Sequence, residues 1–159
     1  MIRIATPEDL SFVYSLYMHP EVNGFLLYEM MDEPSFALIY QNLLNTGIKF
    51  IYTENDRALG MFKLIPLNFR TSHIAYLGGL AIDPAFAGKG YGKKMLLEII
   101  EFAGNLGFLR IELSVADTNE KAIQLYEKAG FQKEGLLRKY SFLKSENKFL
   151  DEILMAYLS

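Results

Sequence analysis

Gly88, Gly90 and Gly92 stand at alternate positions in the run Leu80-Ala81-Ile82-Asp83-Pro84-Ala85-Phe86-Ala87-Gly88-Lys89-Gly90-Tyr91-Gly92-Lys93, immediately before a helical pattern begins. Without side chains there, consecutive backbone N–H groups can close on an anion, and the dipole of the following helix adds positive potential at the same point. A pyrophosphate has the size and charge that such a cradle suits. Lys89, Lys93 and Lys94 lie in or beside it, although the helix dipole alone disfavours cations at that end. An anionic ligand resolves the conflict. An ordinary strand-to-helix turn with solvated lysines would carry the same residues, so the glycines alone do not fix the chemistry.

Spacing and composition remove several alternatives. A P-loop of the nucleotide hydrolases needs Ser or Thr directly after its lysine to hold Mg²⁺, whereas Lys93 is followed by Lys94. The alternating glycines also miss the G-x-G-x-x-G spacing of dinucleotide-binding loops. The 159 residues include no cysteine, which excludes a disulfide framework, a thiolate nucleophile and a Cys-ligated metal. With His19 and His73 the only histidines, a His-rich metal site is not expected. At 51% apolar and 22% charged residues the chain is too hydrophobic for a disordered one. A net charge of −3 with scattered Lys and Arg argues against nucleic acid as a partner. The opening MIRIATPEDL lacks the basic region and apolar run of a signal peptide, and no apolar stretch approaches the ~20 residues of a membrane span, so a cytoplasmic location is expected.

The elements that position the loop can be read from periodicity. A short strand, Ile2 to Ala5, leads through Thr6-Pro7-Glu8 into a helix to about Met18, with Thr6 as cap. Residues 19–31, with Pro20 and Gly24 among bulky apolar residues, read as a loop or broken helix able to line a pocket. A second helix, Glu33 to Asn45, stops near Gly47, and Ile48–Glu54 with Ala58–Asn68 form a hairpin around Asn55-Asp56-Arg57. His73 to Ile82 is a strand interrupted by Gly78-Gly79, which marks a bulge or the close approach of another chain. A long helix to about Asn105 turns Tyr91, Met95, Ile99, Phe102 and Leu106 toward a sheet. A strand from Arg110 to Val115, a helix from Asn119 to Ala129, and a last hairpin, Lys133–Leu143 with Phe149–Leu158 around Ser145-Glu146-Asn147, complete the chain. In the later helix Ala122, Leu125, Tyr126 and Ala129 form an apolar stripe. One domain over residues 1–159 is expected, with a mixed, mostly antiparallel α/β (α+β) sheet of about seven strands and helices on both faces.

AFAGKGYG resembles the acetyl-CoA pyrophosphate loop of the GNAT superfamily, written Q/R-x-x-G-x-G/A, with Ala87, Gly90 and Gly92 in its defining positions. Ala87 departs from the usual Arg or Gln, which removes a side-chain contact and leaves the backbone cradle. A second segment, Asn119 to Phe131, resembles the GNAT helix after the fifth strand. The resemblance implies the GNAT fold and acetyl transfer from acetyl-CoA to an amine, with no metal. It implies that Tyr126 donates a proton to the departing thiolate and that Asn119 lies near the pantetheine arm. It further implies that the backbone of Leu80, Ala81 and Ile82 pairs with pantetheine, while Ala87, Gly88, Lys89, Gly90, Tyr91, Gly92 and Lys93 hold the pyrophosphate. The final segment, Gly135–Tyr140 through Asp151–Ala156, resembles the branch with amino acid, amino-sugar and ribosomal-protein N-terminal acetyltransferases.

The general base is less legible. Some family members carry Glu on the central strand, where this chain has Tyr76, and no carboxylate lies between His73 and Ile82. Glu29, His73 and a water chain remain as candidates. Neutralising a peptide α-amine of pKa 7.7–8.0 at pH 7 costs about 1 kcal/mol, against about 4.6 kcal/mol for a lysine near 10.4. A site without a carboxylate base therefore leans toward α-amines, with an amino acid as first choice and ribosomal-protein N-termini, polyamines and amino sugars as alternatives. Expected partners are acetyl-CoA and that amine, without nucleic acid or membrane; a homodimer is compatible. Two rivals stand beside this reading: a non-catalytic acyl-CoA-binding module, and an ATP-binding protein whose binding would need Mg²⁺.

Overall fold

A computed structural model describes residues 1–159. Strand β1 (Ile2–Ile4) ends at Thr6-Pro7, where a 3₁₀ turn, Pro7–Asp9, leads into α1 (Leu10–Tyr17). Asp9 fixes this entry by accepting from the Thr6 amide at 2.9 Å and from both terminal Arg3 nitrogens at 2.7 Å. Helix α2 (Glu33–Thr46) is capped by the Asp32 side chain and stopped by Gly47, whose φ of 65° terminates it in the left-handed region. Strands β2 (Lys49–Glu54) and β3 (Arg57–Pro66) join through Asn55 and Asp56, both at positive φ, the backbone of a tight hairpin turn. β4 (Ile74–Ile82), α3 (Tyr91–Asn105), β5 (Arg110–Ala116), α4 (Glu120–Lys128), β6 (Gln132–Leu143) and β7 (Lys148–Leu158) follow.

The seven strands form one sheet in the order β1-β2-β3-β4-β5-β7-β6. Every pairing is antiparallel except β4 with β5. Two cores result because successive strand side chains point to opposite faces. Phe62, Leu64, Ala75, Leu77, Ile111 and Leu113 belong to the core that contains Met95, Leu96, Ile99 and Ala103 of α3 with Ile123 and Tyr126 of α4. Ile51, Met61 and Ala81 pack with Val13, Leu16 and Tyr17 of α1 and Phe36, Tyr40 and Leu43 of α2. The mixed seven-stranded sheet expected from the sequence is thus present, with two details corrected. Leu106 is 56% exposed as the C-cap of α3, and Leu96 and Ala103 take the buried face instead. In α4, Ile123 is buried beside Tyr126, whereas Ala122, Leu125 and Ala129 are only partly covered.

One buried group opposes this packing. Lys49 is 1% exposed beneath α1, where its Nζ donates to the Tyr17 hydroxyl at 3.2 Å and no carboxylate pairs with it. Burial, with the charge of Lys63 adding to it, holds the Lys49 ammonium well below the ordinary lysine range. Between that lowered value and the ordinary 10.5 the unfolded chain binds the additional proton, so stability rises with pH in that window and falls as pH drops through it. Lys49→Met, close to isosteric, is therefore expected to raise stability at pH 7 by about 1 kcal/mol or more. The gain shrinks as pH approaches 10. Thermal unfolding of both proteins across pH 6–10 measures it, and a lower melting temperature for the variant at pH 7 contradicts this account of Lys49.

Candidate active site

The site begins where the sheet opens. β4 and β5 pair in parallel only from Ile74–Tyr76 to Arg110–Glu112, after which both strands continue without pairing to one another. Gly78 and Gly79 cause the departure: Gly79 has φ +55°, and the β3 register shifts opposite this stretch, between Met61 and Lys63. A Cβ on Gly79 would lie 2.7 Å from the Tyr17 hydroxyl, so the bulge admits no side chain there. The Tyr76 and Ser114 hydroxyls meet at 2.9 Å across the apex of the opening. Beyond the apex the edge of β4 running through Leu80, Ala81 and Ile82 has no strand beside it on the β5 side, an arrangement able to pair with an extended amide chain.

At the C-terminal end of β4 the glycine loop continues the opening. Gly88 and Gly90 take φ of +74° and +82°, values that favour glycine, and nothing lies within 4 Å of where their Cβ atoms would be. No backbone amide from Gly88 to Lys93 donates to the protein; the first amide bond of α3 is Lys94 N–H to the Gly90 carbonyl, at 3.1 Å. Gly90 caps α3 without a side-chain bond. Six consecutive donors are therefore unpartnered at the positive end of a 15-residue helix, where an anion would satisfy them. Of the lysines, exposed Lys93 is in no ion pair, Lys89 packs over Phe86 and reaches the Ala85 carbonyl at 3.4 Å, and Lys94 bonds to Glu54 of β2. The expectation that Lys94 charges the loop is corrected, because Glu54 already neutralises it.

Helix α4 brings Tyr126 to the α3 side of the sheet. Asn119 caps the helix, its Oδ1 accepting from the Ala122 amide at 3.3 Å, and the Tyr126 ring lies 5.8 Å from that of Phe131. The Tyr126 hydroxyl makes no hydrogen bond within the protein, while burial and then the nearby Tyr76 push its pKa up to about 12. The phenol therefore keeps its proton at neutral pH, as a donor must. Tyr76, whose pKa is likewise raised by burial, sits with Ser114 on the opposite face.

The other sequence candidates scatter. Glu29 is exposed and accepts from the Lys144 amide at 3.3 Å, tying the α1–α2 loop to the tip of the β6–β7 hairpin. His73 precedes the closed end of β4, roughly 16 Å along the strand from Gly78 at about 3.3 Å per residue. Its carbonyl accepts from the Leu109 amide at 2.9 Å. No group of three His, Cys, Asp or Glu is placed to hold a metal. Two residues beside the bulge had no role in the sequence reading: Lys49, and Lys63 of β3. The available signal was a lysine flanked by Ile48 and Phe50 and another flanked by Phe62 and Leu64.

Known proteins share this fold. The chain matches the Acetyltransferase (GNAT) family over residues 10–131. It is 36% identical over 160 aligned residues to the L-amino acid N-acetyltransferase AaaT of Escherichia coli, covering 98% of this chain and 96% of that protein. It is 32% identical over 108 residues to the SPbeta prophage-derived uncharacterized N-acetyltransferase YokL of Bacillus subtilis, covering 67% of this chain and spanning only 60% of that relative's length. The fold superimposes on spermidine N-acetyltransferase from Vibrio cholerae, solved with CoA and spermine, with a TM-score of 0.86 at 23% identity over 99% of this chain and 94% of that one. An opened β4–β5 pair, a glycine loop of unpartnered amides and a protonated tyrosine on the next helix, together with these matches, place the chain in the GNAT family of acetyltransferases.

Proposed function

We propose that the chain is an acetyl-CoA-dependent N-acetyltransferase whose acceptor is the α-amine of a small molecule such as an amino acid. The observation that carries the reading is the continuity of the β4–β5 opening with the loop of unpartnered amides, which makes one track for an extended amide chain ending in a pyrophosphate. Acetyl-CoA supplies the activated acetyl group as a thioester. The residues present fit it: the amides of 88–93 are free to serve as anion donors, and the free edge of β4 offers backbone partners at Leu80, Ala81 and Ile82. The Tyr126 phenol, near enough to Tyr76 at the apex for that residue to raise its pKa, is the group that gives a proton to sulfur as the C–S bond breaks. The amine then approaches from the α1–α2 face, past the bulge.

The amine must be neutral to attack, and β4 itself carries no carboxylate to take its proton; Glu152 of β7 is the carboxylate whose charge reaches Tyr76 at the apex. A peptide α-amine needs little help, since at pH 7 its neutral form is within about 1 kcal/mol of the charged one; the amine of a free amino acid, beside its own carboxylate, is more basic than that yet still less basic than a lysine. Water leading out past Tyr76 is sufficient as acceptor for such a proton. Relatives named for spermidine and for the bS18 ribosomal protein define the alternative acceptors. A non-catalytic acyl-CoA-binding module would leave the Tyr126 hydroxyl, though not its ring, without a task.

Acetyl-CoA at 100 times its dissociation constant is expected to stabilise the protein by about 2.7 kcal/mol without added metal. Gly90→Val, which forces a branched residue to φ +82°, should weaken coenzyme binding in a folded protein. Differential scanning fluorimetry with acetyl-CoA, and with ATP plus or minus Mg²⁺, reads both. Stabilisation by ATP that depends on Mg²⁺ favours the nucleotide rival.

Tyr126→Phe keeps the ring and its contact with Phe131, so stability and coenzyme affinity should hold while kcat falls roughly ten- to a thousandfold. Thiol release under saturating acceptor is the measurement, and a parental rate with chemistry rate-limiting assigns the proton donor elsewhere.

A further inference from the structure

Lys49 and Lys63 are direct partners across β2 and β3, at 1% and 7% exposure. No carboxylate of the protein pairs with either. Lys49 has the Tyr17 hydroxyl at 3.2 Å and the Tyr17 ring 4.7 Å from its Nζ. The Lys63 Nζ makes no hydrogen bond within the protein; it lies 5.5 Å from the ring centroid of Tyr28, on the α1–α2 loop. Two like charges side by side in a low-dielectric interior, satisfied by two aromatic rings and one hydroxyl, are unfavourable unless an anion joins them. Burial holds both ammonium groups below the usual lysine range, the response of such a pair when no anion is present.

Their place identifies the anion. Lys63 lies opposite Gly78 in the β3–β4 register, and its Cε is 3.4 Å from where a Cβ of Gly79 would be. The ammonium therefore sits beside the bulge on the α1–α2 face, where the proposed acceptor enters. We propose that Lys63, backed by Lys49, seats a free carboxylate of the acceptor, making the substrate an α-amino acid.

This rests on the acetyl-transfer reading and narrows it. In an α-amino acid one carbon separates amine from carboxylate. With a charge-assisted N–H···O bond of about 2.8 Å, the amine lies roughly 6 Å from the Lys63 Nζ, two residues along a strand, as Leu80 is from Gly78. A polyamine would instead bring more positive charge to two lysines, and a peptide N-terminus has a neutral carbonyl where the carboxylate should be. Both are disfavoured by the same pair.

The test compares L-amino acids, their α-carboxamides and spermidine as acceptors at saturating acetyl-CoA, by thiol release, for the parent and for Lys63→Met. In the parent, kcat/KM for the best acid should exceed that for its amide at least about tenfold, with spermidine poorer still. Lys63→Met should bring the acid down to the level of the amide, mainly through KM, with acetyl-CoA affinity retained and the melting temperature unchanged or raised, as for Lys49→Met. Equal use of acid and amide by the parent, a preference for spermidine, or an acid preference that survives in Lys63→Met overturns the carboxylate seat while acetyl transfer stands. Should the variant fail to fold, the acid-to-amide ratio of the parent decides alone. Failure to release thiol with any acceptor overturns the acetyl-transfer reading as well.

Discussion

The divergence of β4 from β5 is the constraint on which the rest of the site depends. Three residue pairs hold the strands together, and then Gly79, in a backbone conformation closed to most side chains, turns β4 away. An interruption in the middle of a sheet exposes backbone donors and acceptors, which costs stability unless something pairs with them. Structure on both sides makes the opening tolerable. The α3–α4 core holds one face and the α1–α2 core the other, while β7 pairs with all of β5 from Arg110 to Ala116. The opening is thus built into a rigid frame, and its width does not depend on a mobile loop.

Polar groups without a partner in the protein gather around this opening. The amides from Gly88 to Lys93 are unpaired, Tyr126 holds a hydroxyl without a partner, and Lys49 and Lys63 are buried without an acid. Elsewhere polar groups are matched: Arg3 with Asp9, Lys94 with Glu54, and Arg110 with Glu112 at 2.8 Å and with Glu134 of β6. Unfavourable groups concentrated in one region while the remainder is satisfied are what a binding site requires, because ligand contacts then replace missing internal ones. The donors on the α3 side suit phosphate and sulfur, and the cations on the α1–α2 side suit a carboxylate.

Much of the frame was legible in the sequence because it rests on local rules. Asn55-Asp56 accept positive φ and set the hairpin, Gly47 ends α2, Asp32 caps it, and Gly78-Gly79 announce an irregular strand. The AFAGKGYG run and the segment containing Tyr126 supplied the family. What could not be read depends on contacts distant in sequence. Lys94 bonds to Glu54 forty positions away, so its charge does not serve the loop. Leu106 follows helical spacing yet falls at the cap of α3, where it is exposed. The lysine pair shows the limit most clearly. Counting back from the turn, where Glu54 faces Arg57, sets Lys49 opposite Phe62; the irregularity between Tyr52 and Thr53 moves it by one residue onto Lys63. A single register shift, invisible in composition, brings the two cations together.

The central claim is that one continuous track, from the opened edge of β4 to the loop before α3, receives the coenzyme. Amide hydrogen exchange with and without coenzyme A tests it most directly, since exchange reports which backbone donors gain partners. The account predicts slowed exchange in peptides covering Leu77–Ile82 and Ala87–Met95 together, with β1 and the β6–β7 hairpin tip unchanged. Protection confined to other segments, or none at the loop while coenzyme A binds, would contradict it.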